Sequence, residues 1–202
     1  TAHGAQVAVT PVSSNSGAEQ VFKSIIRTKI GSPFVIAGME TVTGRVVGYE
    51  ANGGFLLGYD ATGPASPLPA LMTRDAVLPI IASLMVAKSA GSLAAAVATQ
   101  PARFTASDRL QGVPTETTQA FITDLSTHDG ARAAFLKQFN LTEVAVDRTD
   151  GLRMICGGDR IVHLRPSGNA PELRFYAEAG SAEGAQALLD QGLDILRAQI
   201  VV

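Results

Sequence analysis

The seven residues Arg165-Pro166-Ser167-Gly168-Asn169-Ala170-Pro171 have the chemistry of a site for a phosphate dianion. The Arg165 guanidinium offers a planar fork for two charge-assisted hydrogen bonds to phosphate oxygens. Ser167 adds a hydroxyl donor and Asn169 an amide donor. Gly168 and Asn169 both tolerate positive φ, the backbone state in which successive N–H groups converge on an anion. Pro166 and Pro171 stiffen the ends, so less entropy is lost when the anion arrives. No carboxylate lies within the segment to repel it. The competing explanation is a tight turn between two strands, because the same residue types favour turns.

A second segment, Gly48-Tyr49-Glu50-Ala51-Asn52-Gly53-Gly54, suits a sugar. The Glu50 carboxylate can accept from two vicinal hydroxyls, and Asn52 can both donate and accept. Gly53 permits close approach of the backbone. Asn-Gly between Val46-Val47 and Phe55-Leu56-Leu57 is equally a hairpin signal, and a hairpin tip can present Glu50.

Other residues carry less. His3, His128 and His163 form no metal-ligand spacing, and no Asp-x-Asp lies near an arginine. His163 alternates with Ile161 and Arg165, which reads as an exposed strand position or as a neighbour of the loop. Asp147, Arg148 and Asp150 read as turn chemistry. The single Cys156 excludes an internal disulfide and fits a reducing compartment, so a cytoplasmic location is expected. A net charge of −2 gives no basic field for nucleic acid or an anionic membrane, and no apolar run approaches a membrane span.

Two regions must position these segments. The first reads as an α/β domain over residues 1–100, a mixed, largely parallel sheet with helices on both faces. Its elements are an apolar run from Val7 closing in Ser13-Ser14-Asn15, a helix from Pro33 to Val42 capped by Ser32, and strands around Val46 and Phe55. A helix follows Thr73 as N-cap, with Val77, Ile80, Ile81, Leu84 and Met85 at spacings of three and four, Pro79 as a kink and Gly91 as the stop. A short alanine-rich helix then ends near Pro101. Residues 101–202 read as a smaller α+β domain with an antiparallel sheet. Helices at Thr115–Leu125 and Asp129–Phe139 precede strands at Leu152–Cys156, Arg160–Leu164 and Leu173–Glu178. A last helix opens at Ser181 and carries Leu189, Leu193, Leu196 and Ile200 on one face.

The segment at Arg165 resembles the phosphate-binding loop of the α-D-phosphohexomutases, Arg-x-Ser-Gly/Asn-Thr-Glu-Pro. Arg165, Ser167, Gly168 and Pro171 match, while Asn169 and Ala170 replace threonine and glutamate. The segment at Glu50 resembles that family's sugar loop, Gly-Glu-x-Ser-Gly-His, with Glu50, Asn52 and Gly53 on the matching positions, but Tyr49 replaces the leading glycine, Asn52 the serine and Gly54 the histidine. Val9 to Ser14 resembles the first strand of the family's third domain, and Arg27-Thr28-Lys29-Ile30-Gly31-Ser32 its threonine-and-glycine turn. There Arg27 and Lys29 either add positive potential or are solvated surface charges.

The resemblance implies the third and fourth domains of a phosphomannomutase-type enzyme, with Arg165, Ser167, Gly168 and Asn169 on substrate phosphate and Glu50, Asn52 and Gly53 on the sugar. It implies an intact protein that interconverts hexose 6-phosphate and hexose 1-phosphate through a hexose 1,6-bisphosphate, using Mg²⁺ and a phosphoserine. Neither the catalytic Thr-Ala-Ser-His-Asn-Pro loop nor the metal loop is present. Thr105-Ala106-Ser107-Asp108 lacks that loop's histidine, asparagine and proline, so Ser107 is read as non-catalytic. The catalytic and metal-binding domains are expected upstream of Thr1, making this chain a fragment, inactive alone, that binds no cofactor. The alternatives are a non-catalytic phosphosugar-binding module, or specificity for glucose or glucosamine phosphates.

Overall fold

The computed structural model describes residues 4–63 and 66–200, so His3 lies outside the described residues. The chain divides into two compact units, one running to Ala102 and one beginning at Arg103.

The first unit is built on five strands, β1 (Val7–Pro11), β2 (Ser24–Thr28), β3 (Val46–Tyr49), β4 (Phe55–Leu57) and β5 (Leu71–Asp75), in the order β2-β1-β3-β4-β5. β1 runs parallel to both β2 and β3, and β3, β4 and β5 pair antiparallel. The mixed sheet is therefore as expected, with its parallel part at β2-β1-β3. Consecutive apolar residues occur because both faces are covered. On one face Val9, Val46 and Leu56 pack against Val35 and Met39 of helix α1 (Ser32–Glu40). On the other, Ala8, Val47 and Leu57 form a cluster that Leu78 of helix α2 (Val77–Ala90) joins.

Several local expectations change. α1 begins at Ser32 itself, and its N-cap is Gly31, at φ 134°, which frees the Ser32 hydroxyl for another partner. Thr73 lies inside β5, and the N-cap of α2 is Ala76, with Asp75 just before it accepting at Oδ1 from the N–H of Val77 at 2.7 Å. Pro79 falls in the first turn of α2, where its missing N–H breaks no helical bond, so the expected kink has no cause. Gly91 ends the helix at φ 88°, and Ser92 caps helix α3 (Leu93–Ala98). The stripe Val77, Ile80, Ile81, Leu84 and Met85 is exposed, because α2 packs against α3 and turns Leu78 and Ala87 inward.

The second unit has five strands, β6 (Phe104–Gln111), β7 (Glu143–Asp147), β8 (Leu152–Cys156), β9 (Arg160–Pro166) and β10 (Glu172–Ala179), ordered β6-β10-β9-β8-β7 and antiparallel throughout. Three helices complete it: α4 (Thr115–Thr127), α5 (Asp129–Lys137) and α6 (Ala182–Ile200). The two edge strands, β6 and β7, were not anticipated from the sequence. β6 takes in Thr105 to Asp108, with Ser107 opposite Tyr176 in the ladder.

One face of this sheet is apolar. Leu152, Leu164, Leu173 and Phe175 are fully buried against Leu196 of α6, with Leu189 and Leu193 of the same helix buried beside it. The helix lies so close that a Cβ at Gly192 would come within 2.2 Å of the Phe175 ring. Strand alternation sends the intervening residues to the opposite face, and these are the charged ones.

Candidate functional site

Three arginines from three strands lie side by side on that face. In the ladder Arg174 of β10 stands opposite Arg109 of β6 on one side and opposite Arg165 of β9 on the other. Like charges directly opposed are unfavourable, and two carboxylates relieve them. Glu172 accepts from Arg174, Nε at 3.0 Å and Nη2 at 2.9 Å, and pairs with Arg109 at 3.3 Å. The Arg174 guanidinium, and then that of Arg109, hold the Glu172 carboxyl below the usual carboxylate range. Asp150 serves Arg165, accepting from its Nε at 2.9 Å.

Asp150 comes from the turn between β7 and β8, and its pairing with Arg165 makes it more than turn chemistry. The turn lies flat on β9: Gly151 has φ 78°, and a Cβ there would sit 2.2 Å from the Leu164 carbonyl oxygen. Arg165 uses its Nε on Asp150, and its two outer nitrogens have no hydrogen-bond partner among the described residues. The free edge is the fork that a phosphate needs.

The loop itself departs from expectation in one respect. Ser167 N–H donates to the Glu172 carbonyl at 3.0 Å and closes the hairpin. Neither Gly168 nor Asn169 takes a positive φ, so the expected convergence of N–H groups through left-handed residues does not occur. The Ser167 side chain is buried, its hydroxyl oxygen accepting from Asn169 N–H at 3.4 Å. Gly168 and Asn169 are exposed.

His163, read as an exposed strand position or as a neighbour of the loop, is 2% exposed. Its ring stacks on Tyr176 with centroids 5.2 Å apart, and Nε2 lies 2.7 Å from the Asp150 carbonyl oxygen. Burial first, then the nearby arginines, lower its pKa to about 4.

In the first unit the candidate sugar loop is the five-residue tip, 50–54, of the β3–β4 hairpin. Glu50 N–H donates to Gly54 O at 2.8 Å, and Gly53 turns at φ 89°. Glu50 is 8% exposed and accepts from the Ser32 hydroxyl at the start of α1. The Asn52 side chain is exposed but its Oδ1 is taken by Gly54 N–H at 3.0 Å, leaving its NH₂ as the group turned to solvent. Gly54 has no room for a side chain, since a Cβ would meet the Arg74 stem at 2.4 Å. The turn 28–32 and this tip both follow the carboxyl ends of parallel strands, the edge where open α/β sheets bind ligands.

Arg27 is neither a free cation nor a solvated one. Its guanidinium donates to the carbonyls of Ser14 at 2.6 Å and Asn15 at 3.2 Å, and to Glu19, which ties down the loop after β1. Lys29 lies over the Phe34 ring at 6.0 Å. Among the described residues no group of three or more His, Cys, Asp or Glu could hold a metal ion, and no helix is long and apolar enough to cross a membrane.

Known proteins match both units. Residues 1–104 match the family model described as phosphoglucomutase/phosphomannomutase, alpha/beta/alpha domain III, and residues 95–195 the model of the C-terminal domain of the same family. A phosphomannomutase of Sinorhizobium fredii is 40% identical over 203 residues, covering 98% of this chain and 43% of that protein. The chain thus spans about two fifths of the length of the curated relatives it matches. In fold it is similar to a phosphoglucomutase/phosphomannomutase family protein from Burkholderia thailandensis, with a TM-score of 0.67 at 16% identity over 96% of this chain and 38% of that one. It is also similar to N-acetylphosphoglucosamine mutase of Aspergillus fumigatus in complex with GlcNAc-6P and magnesium, with a TM-score of 0.60 at 16% identity over 96% of this chain and 39% of that one. With its two units matched in chain order by consecutive domains of one family, this chain belongs to the phosphoglucomutase/phosphomannomutase family.

Proposed function

We propose that this chain is the substrate-recognition part of a phosphomannomutase, its third and fourth domains, divided near residue 100. In this proposal the loop of the second unit takes the phosphate of a phosphosugar that is not reacting, and the hairpin tip of the first takes sugar hydroxyls. The observation that carries it is the Arg165 guanidinium, held through Nε by Asp150 with its outer edge unpaired.

The roles follow from the donors present. Arg165 supplies two parallel N–H groups to phosphate oxygens, and the exposed Gly168 and Asn169 supply backbone and amide donors. Ser167 joins with its hydroxyl proton, the oxygen already accepting from Asn169 N–H. Glu50 has one oxygen on Ser32 and lone pairs left for a sugar hydroxyl, beside the Asn52 amide and the Gly53 backbone. All of these are binding roles.

The intact protein would interconvert hexose 6-phosphate and hexose 1-phosphate through the 1,6-bisphosphate, its phosphoserine lying in domains outside this chain. Holding either phosphate suits a bisphosphate that turns over between two half-reactions. Mg²⁺, implied for the intact protein, finds no ligand set among the described residues, and none of the roles above runs through it. The cytoplasm belongs to the same proposal and rests on the free thiol of Cys156, which burial pushes up to about 11.

The test is an NMR titration of the chain with mannose 1-phosphate and glucose 1-phosphate. Millimolar affinity, about −4 kcal/mol, is expected, with shifts at 165–169 and 50–53. Shifts confined to Arg165–Asn169 would leave a phosphate-binding module without sugar recognition. None at tens of millimolar would refute both assignments for this chain.

A further inference from the structure

We infer that His163 is a positioning residue for Arg165: its Nε2–H, donated to the Asp150 carbonyl, fixes the carboxylate that aims the phosphate-binding guanidinium. This rests on the loop's being a phosphate site.

The connection is short and continuous. His163 Nε2 lies 2.7 Å from Asp150 O, and Asp150 Oδ2 lies 2.9 Å from Arg165 Nε. Because a carbonyl oxygen only accepts, Nε2 carries the proton and the ring is the neutral Nε2–H tautomer. The ring has little freedom to be elsewhere. It is 2% exposed, stacked on Tyr176 at an interplanar angle of 23°, with Arg153 opposite on β8.

The other ring nitrogen makes the case. Nδ1 is fully buried and has no hydrogen-bond partner among the described residues. A buried acceptor without a partner is unfavourable, and leucine would fill such a space without that penalty. What leucine cannot supply is the Nε2–H donor. His163 and Arg165 sit two residues apart on one strand face, and the chain turns 150–151 back over them so closely that Gly151 admits no side chain. Asp150 is thereby held at its carbonyl by His163, beside a glycine that lies tight against the Leu164 carbonyl, and its carboxylate receives the arginine Nε.

The test compares the wild-type chain with His163→Leu, which removes the donor, and His163→Gln, whose amide can donate from about the position of Nε2. One readout is the Arg165 Nε–Hε signal in a ¹H–¹⁵N spectrum, assigned by its loss in Arg165→Ala. The other is titration with inorganic phosphate and mannose 1-phosphate. In His163→Leu the Arg165 signal should broaden away and affinity for both probes fall about ten-fold; His163→Gln should keep both. A folded His163→Leu chain with the wild-type signal and affinity would overturn the inference. If the leucine variant does not fold, the glutamine variant decides, because loss of the signal there overturns it equally. A wild-type chain that binds neither probe refutes the phosphate reading, while the Arg165 signal still judges the positioning.

Discussion

Arg165 meets Asp150 through its Nε, at 2.9 Å, so a carboxylate from a separate turn sets the direction of the cation at the end of β9. The two side chains are about equally covered, 18% and 17% exposed. A pair this sheltered is worth more for orientation than for net stability, since desolvation offsets much of its attraction. The geometry leaves Arg165 with a second edge for a ligand.

Arg165→Lys should therefore weaken phosphate binding although the charge is kept. An ammonium cannot hold Asp150 with one edge and span two phosphate oxygens with another. Losing the outer fork should cost about 1.5–3 kcal/mol, or roughly ten- to hundred-fold in Kd for mannose 1-phosphate. Equal titration curves for the two chains would remove Arg165 from the site.

Ser32→Ala should separate the two loops. The Ser32 hydroxyl donates to Glu50, whose carboxylate is otherwise nearly buried. Without it Glu50 loses a donor that fixes its direction, at about 1 kcal/mol. Mannose 1-phosphate should bind about five-fold more weakly while inorganic phosphate binds unchanged. A parallel loss for both probes would mean that Ser32 acts on folding rather than on sugar recognition.

Gly151→Ala should be strongly destabilising. The residue has φ 78°, and the added methyl would lie 2.2 Å from the Leu164 carbonyl oxygen. Both the left-handed backbone and the clash with main chain oppose alanine, so a loss above about 2 kcal/mol is expected in urea unfolding. Gly168→Ala is the control: Gly168 has no positive φ and nothing within 4 Å of a Cβ, so its stability should be unchanged.

The sequence shows some of this and hides the rest for identifiable reasons. Arg165 and Glu50 stand out as candidates because residues with recognition chemistry are conspicuous between apolar strands. Asp150 is not, since nothing local tells that the β7–β8 turn folds back on β9; only the ladder pairing Leu152 with Leu164 brings it there. Arg174 and Arg109 were hidden likewise. Their facing positions depend on the register of β6, an edge strand whose exposed, polar residues carry no hydrophobic alternation. His163 reads as an exposed position or a neighbour of the loop because Arg165 shares its strand face, and only the ladder shows that Tyr176 stacks on the ring and shields it. The left-handed nest at Gly168-Asn169 fails for the opposite reason: tolerance of positive φ permits that conformation without requiring it.

His163 should also make the fold sensitive to acid. Burial, above all, lowers its pKa from 6.5 to about 4, with Arg153 and Arg165 acting in the same direction against the Asp150 carbonyl and carboxylate. The unfolded chain takes up this proton near pH 6.5 and the folded chain only near pH 4. Between those values the unfolded state binds more protons, so stability falls as the pH drops, by at most about 1.4 kcal/mol per unit. Above pH 6.5 the contribution is fully present. His163→Gln cannot titrate, and its loss of unfolding free energy between pH 7 and pH 4.5 should be smaller than the wild-type loss by about 2 kcal/mol. Urea unfolding at the two pH values measures both chains. Identical losses would show that folded His163 takes up its proton as readily as an exposed imidazole, and that its Nδ1 is not sealed from water.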